Sequence, residues 1–181
     1  MKRAFTFFVL SVFLIVAGGC GYTATTLLPP DVKSIYVANF ANKIDPAKEV
    51  SDKRSAFFYR PGMETEITKA VIDEFIFDRH LDIMPPKQAD LLMEGQLVDL
   101  QEYPLSYSSG GGSITESRVE VFVDIKVYDN RSGDLLWKED SFMGQFDFDI
   151  SGPTTVPEAA AIKGAIKDLA KRIVERTVES W

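Results

Sequence analysis

Between residues 118 and 128 a β-branched apolar side chain recurs at every second position, with mostly polar ones between. Val119, Val121, Val123, Ile125 and Val127 fall on one phase, and Arg118, Glu120, Phe122, Asp124, Lys126 and Tyr128 on the other. A period of two is the repeat of a pleated strand, so this stretch predicts a strand with one buried and one half-wet face. Asp129-Asn130-Arg131-Ser132-Gly133-Asp134 has the residue types of a tight hairpin turn, and a partner strand is expected from about Leu135 to Phe148. Before it, about Asp90 to Tyr103 reads as a further strand. Its alternation loses phase at Gly95, which predicts a bulge there. Ser34 to Phe40, rich in Ile, Tyr, Val and Phe, predicts the first strand.

Two segments change the period. Met63, Ile67, Val71 and Phe75, joined by Ile72 and Ile76, recur at helical spacing and predict a helix from about Met63 to Phe77. Thr155-Val156-Pro157-Glu158 carries a capping-box pattern with proline in the first turn. The helix it starts has Ile162, Ile166, Leu169, Ile173 and Thr177 as its inward stripe and reaches almost to Trp181. The resulting order, β-α-β-β-β-α, predicts an α+β domain with two helices packed on one face of a four-stranded mixed sheet. The first two strands should be parallel, with a right-handed crossover, and the later ones antiparallel. Phe122, Tyr128 and the neighbouring charges would then lie on the uncovered face. Ala41 to Gly62 interrupts the pattern with a long polar connection containing Phe57-Phe58-Tyr59, a triplet expected to fold back onto the core.

The start of the chain follows a different logic. Lys2 and Arg3 precede an apolar run from Ala4 to Ala17, followed by Gly18, Gly19 and Cys20. The run is shorter than the roughly 20 residues that cross a bilayer, and its charged, apolar and small-residue order is that of a secretory signal. Ala17-Gly18-Gly19-Cys20 resembles the bacterial lipobox, which implies that Cys20 receives lipid before the signal is removed. Residues 1–19 are therefore expected to be a lipoprotein signal peptide, 20–31 a lipidated tether and 32–181 a single α/β domain. Gly21, rather than aspartate, after the cysteine favours the outer membrane in the sorting logic of many such lipoproteins. Cys20 is the only cysteine, so the domain depends on packing rather than a disulfide. Net charge is −7, or −9 once Lys2 and Arg3 are removed, which disfavours nucleic acid and polybasic contact with a membrane.

Little in the chain points to catalysis. His80, the single histidine, follows the first helix, so neither a histidine-rich metal site nor a Ser-His-Asp triad finds support. There is no glycine-rich phosphate loop, and Gly110-Gly111-Gly112 belongs to a hairpin tip. Asp147 and Asp149 alternate with Phe146 and Phe148, so the carboxylates are expected to face water and the rings the core. No cofactor, metal or enzymatic activity is expected.

Several landmarks in order resemble the LptE family of lipopolysaccharide-assembly lipoproteins. They are Cys20-Gly21-Tyr22, Leu28-Pro29-Pro30 leading into Val32-Lys33-Ser34-Ile35-Tyr36-Val37, Ala89-Asp90-Leu91-Leu92 with Glu94-Gly95, and the Arg118-to-Tyr128 strand, followed by the Asp129-to-Gly133 turn and a final helix. The polar insert from about Lys43 to Tyr59 departs from the compact segment of that family. The resemblance implies a domain that plugs the β-barrel of LptD and supports its assembly while lipopolysaccharide is delivered to the outer leaflet. Cations on or between the last two strands, Arg118, Lys126, Arg131 and Lys138, are the residues expected to meet lipid A phosphates. The alternative is a periplasm-facing scaffold lipoprotein that recruits other envelope proteins.

Overall fold

The computed structural model describes residues 28–29, 31–44, 60–110 and 112–179. The signal segment, Cys20, the Phe57-Phe58-Tyr59 triplet and most of the polar insert lie outside these residues.

Three long antiparallel strands dominate: β4 (Leu91–Tyr107), β5 (Ile114–Asp129) and β6 (Leu135–Asp149). β5 is central among them, and Val119, Val121, Val123, Ile125 and Val127 on its inner phase are fully buried. On the far side of β4 lies β1 (Ser34–Val37), parallel to it, with the short β3 (Asp82–Ile83) parallel beyond. β2 (Ala41–Asn42) also pairs with β4, parallel, at Gln96 and Leu97.

This corrects two expectations. Among the described residues the sheet has six strands rather than four, and the element order is β-β-α-β-β-β-β-α. β2 and β3 have two residues each, too few to display an alternation, and only hydrogen bonds to longer neighbours make them strands. The first strand also stops at Val37 instead of Phe40. The expected bulge at Gly95 is absent. Gly95 stays in register with Ile125, while the irregularity falls between Leu97 and Asp99. Gly95 serves a different need: a side chain there would occupy the space of the Phe40 ring, whose nearest atom lies 2.1 Å from an ideal Cβ.

Helix α1 (Met63–Asp78) begins after Gly62, whose φ of 103° turns the chain into it, and closes at Arg79 in a left-handed conformation. The Arg79 N–H donates to the Phe75 carbonyl at 3.0 Å, satisfying one of the last free acceptors. Met63, Ile67, Val71 and Phe75 are buried as their spacing predicts, but Ile76 remains 58% exposed.

Helix α2 (Glu158–Glu179) buries Ile162, Ile166, Leu169, Ile173 and Thr177. The expected capping box does not form. The Thr155 hydroxyl donates to the Gly152 carbonyl, and the Pro157 carbonyl receives the Ala160 and Ala161 amides. Both helices pack on one face of the sheet, where a single core joins them to the inner side chains of β1, β4, β5 and β6. α2 lies so close to β6 that an ideal Cβ on Gly144 would sit 2.4 Å from Leu169 Cβ.

Candidate functional site

With both helices on one side, the outer phase of the strands is left uncovered among the described residues. Register sets its rows: Tyr36, Leu92 and Tyr128; Glu94, Lys126 and Lys138; Asp99, Phe122 and Met143; Gln101, Glu120 and Gln145; Tyr103, Arg118 and Asp147. Aromatic, aliphatic and charged groups therefore alternate across the sheet. Phe122 and Tyr128 lie there as the alternation of β5 predicts, and both are half-buried by their neighbours.

The structure sorts the four expected phosphate-binding cations. Arg118 is engaged: its Nε and Nη2 donate to the two Asp147 carboxylate oxygens at 2.6 and 2.9 Å. This bidentate bond holds the Asp147 carboxyl below its usual pKa and raises that of the guanidinium. Asp147 thus faces outward as expected, while Phe148 is buried. Phe146 is 36% exposed and packs against Gly164. The expectation for that ring holds only in part, because the edge strand leaves it at the rim of the core.

Arg131 is tied down differently. On the turn between β5 and β6 its Nη2 lies 3.0 Å from Asp31 and 3.4 Å from Asp129. The Asp129 carboxylate accepts the Arg131 backbone N–H, and these bonds lower its pKa. Lys126 and Lys138 differ from both arginines. They stand directly opposite each other on neighbouring strands, an arrangement that like charges disfavour. Lys138 has Asp140 at 3.5 Å, and both lysines are exposed. Of the four cations, this pair is the one that register brings together with its charge turned outward.

One polar junction escaped the sequence reading. Asp90 Oδ2 accepts the backbone N–H groups of Lys33 and Ser34 at 3.0 and 3.1 Å and the Ser34 hydroxyl at 2.8 Å. The Ser34 hydroxyl in turn accepts the Asp90 N–H. The Lys33 amide and then the Ser34 hydroxyl hold the Asp90 carboxyl below its usual pKa. Asn130 completes the junction by donating to the carbonyls of Pro86 and Ala89. Lys33-Ser34, Ala89-Asp90 and the Asp129-to-Gly133 turn, separate landmarks in the sequence, thus meet at one end of the sheet.

His80 follows α1, with its Nδ1 2.7 Å from Asp78. Among the described residues no group of three or more His, Cys, Asp or Glu side chains is placed to hold a metal ion. No described helix is long and apolar enough to cross a membrane.

The fold recurs in solved structures. Hypothetical protein CT253 from Chlamydia trachomatis superimposes with a TM-score of 0.51 at 9% identity, over 81% of this chain and 95% of that one. Protein XCC0632 from Xanthomonas campestris gives 0.51 at 12% identity, over 84% and 88%. At such identities the likeness concerns architecture alone. No curated protein matches the chain significantly. The sequence profile of the lipopolysaccharide-assembly family LptE, however, matches residues 32–177, a span that takes in the Asp90 junction, every strand and nearly all of α2. The chain belongs to the LptE lipopolysaccharide-assembly family.

Proposed function

We propose that this protein is an outer-membrane lipoprotein, acylated on Cys20, whose domain sits as a plug in an LptD β-barrel. There it supports assembly of that barrel and the passage of lipopolysaccharide to the outer leaflet. The observation that carries this reading is the uncovered sheet face. An apolar face of that extent would call for a matching apolar partner, and a wholly charged one would stay in water. The rows of Tyr, Phe and Met interleaved with Glu, Asp, Arg and Lys suit the wall of a wide barrel, whose lumen is polar.

Within that face, Lys126 and Lys138 are the groups proposed to meet lipid A phosphates. An anion placed between them relieves their mutual repulsion and accepts charge-assisted hydrogen bonds from both. Arg118 and Arg131 are assigned to holding the structure, since their guanidinium groups already face carboxylates. Paired charge reversal, Lys126→Glu with Lys138→Glu, is expected to weaken lipopolysaccharide binding about tenfold, taking one charge-assisted contact as about 1.5 kcal/mol. Arg131→Glu is expected to leave it within about twofold. Equal losses in the two variants would reject the assignment. Co-purification from detergent-solubilised outer membranes tests the larger claim. A large β-barrel should accompany the protein, whereas recovery of soluble periplasmic partners alone would favour a scaffold.

A further inference from the structure

We propose that the edges of the sheet are blocked against strand addition, and that Asp168 on α2 is the group that blocks the β6 edge against a second copy of this chain. The same block confines a β-strand partner to the open face, a consequence that rests on the proposed function because an unclosed barrel offers unpaired strands.

Residues two apart on a strand turn their backbone groups the same way, so a few bonds fix the direction of all the others. On β6 the Gln145 N–H donates to Asp168 Oδ2 at 3.0 Å, and the Asp149 carbonyl accepts the Val156 N–H at 3.0 Å. Pairing with β5 stays in register from Phe142 to Asp149, so Met143, Gln145, Asp147 and Asp149 all point away from it. An added strand needs donors and acceptors at successive outward positions. Among the described residues Met143 and Asp147 keep both groups, but Gln145 between them has committed its donor and Asp149 beyond them its acceptor. Earlier in β6, Ser141 has a φ of 56° and gives its N–H to Asp124 Oδ1 at 2.9 Å, an irregularity that interrupts the edge again.

The opposite edge is interrupted at the same interval. Leu100, Glu102 and Pro104 of β4 stand opposite Val121, Val119 and Ser117, whose partners on the other side are Gly144, Phe146 and Phe148. Those β5 residues direct their backbone groups to β6, so the three β4 residues direct theirs outward. The Leu100 N–H is bound to Asp99 Oδ1 at 2.8 Å, and Pro104 has no N–H to give. Glu102 is left alone between them. Beyond β1 the sheet ends in β3, whose two residues are too few to template a strand.

Asp168 differs from the other blocks in coming from a helix. The approach of α2 to Gly144, where an ideal Cβ would lie 2.6 Å from the Ala165 carbonyl oxygen, sets its carboxylate at the edge by core packing. An ionised carboxylate only accepts hydrogen bonds, so it satisfies the Gln145 donor while repelling the carbonyl of an arriving strand.

The test follows the full acylated chain in detergent micelles by sedimentation equilibrium and amide hydrogen exchange. The parent is expected to be monomeric, with the Met143 and Asp147 amides exchanging faster than that of Gln145. Asp168→Ala frees three successive outward positions and is expected to self-associate at least about tenfold more tightly, the effect of about one hydrogen bond, with slowed exchange at Met143 and Asp147. Asp168→Asn keeps an acceptor and should behave as the parent, and Gln145→Pro added to Asp168→Ala should reverse the association. An Asp168→Ala protein as monomeric as the parent, or an association that survives Gln145→Pro, would overturn the role of Asp168. Should that variant not fold, exchange in the parent decides: protection of Met143 and Asp147 as strong as that of Gln145 would overturn the block. In a complex with the barrel, fast exchange at Glu102, Met143 and Asp147 is expected, and protection there would overturn the confinement to the face. Absence of any barrel would reject the proposed function and leave the self-association result standing.

Discussion

At the residue scale Asp90 repays attention because one carboxylate joins three segments. It accepts two backbone N–H groups and a hydroxyl, so Asp90→Ala leaves those donors unmatched and should cost about 2 kcal/mol in urea unfolding. Its folded pKa is depressed by the Lys33 amide and the Ser34 hydroxyl. The unfolded chain therefore binds this proton more readily than the native one, and the stability it contributes is complete above about pH 4. That contribution drains away as pH falls through the lower native value. Asp90→Asn should flatten this part of the acid limb, and acid limbs that run parallel in the two proteins would contradict the assignment. Gly144 makes a second residue-scale case. An added Cβ would meet Leu169 N at 2.5 Å and the Ala165 carbonyl oxygen at 2.6 Å, and backbone atoms cannot swing aside. Gly144→Ala is thus expected to cost about 1–3 kcal/mol, whereas Gly110→Ala, with nothing within 4 Å, should stay within about 0.5 kcal/mol of the parent. None of this was legible in the sequence. Asp90 stood out only as part of a family landmark, and the need for glycine at 95 was hidden because the Phe40 ring that fills the space of a side chain there comes from the distant connection between β1 and β2.

At the scale of elements, local period was a sound guide wherever an element was long enough to show one. The alternation of β5 and the helical stripes of α1 and α2 reappear as buried faces, because each faces one core along most of its length. The two-residue strands were invisible for the converse reason, and α2 starts where the Thr155-to-Glu158 pattern places it, although Thr155 satisfies a nearer carbonyl at Gly152 instead of capping the helix. Likewise, four cations could be nominated from their positions on the strands, but only register shows Arg118 opposite Asp147 and Lys126 opposite Lys138. Pairing also predicts dynamics. β5 is bonded on both sides along most of its length, whereas β4 beyond Leu97 has β5 as its only strand neighbour among the described residues. Amide hydrogen exchange should therefore be slowest in Val119–Val127 and markedly faster on the open edge of β4 between Asp99 and Tyr107. Uniform protection along β4 would mean that another segment pairs with that edge.

At the scale of the whole molecule, two helices on one side and a mixed polar and aromatic sheet on the other give the domain two unlike faces, only one of them covered by the described residues. Membership of the LptE family supplies the setting of lipopolysaccharide assembly, and the open face supplies the reason for a partner. For the proposed plug the strands are long enough: β4 extends roughly 53 Å, more than the hydrocarbon core of about 30 Å that a barrel must cross. A substitution on the open face that leaves the core untouched should accordingly separate folding from assembly. Phe122→Asp lies opposite Asp99 and Met143, on the phase away from the helices, and adds charge at the middle of the face. The most direct measurement is recovery of an outer-membrane β-barrel with the affinity-tagged, acylated protein from detergent extracts, comparing the parent with Phe122→Asp at matched thermal stability. The account predicts stoichiometric barrel with the parent and a severe loss with the variant; equal recovery from both, or no barrel from either, would contradict it.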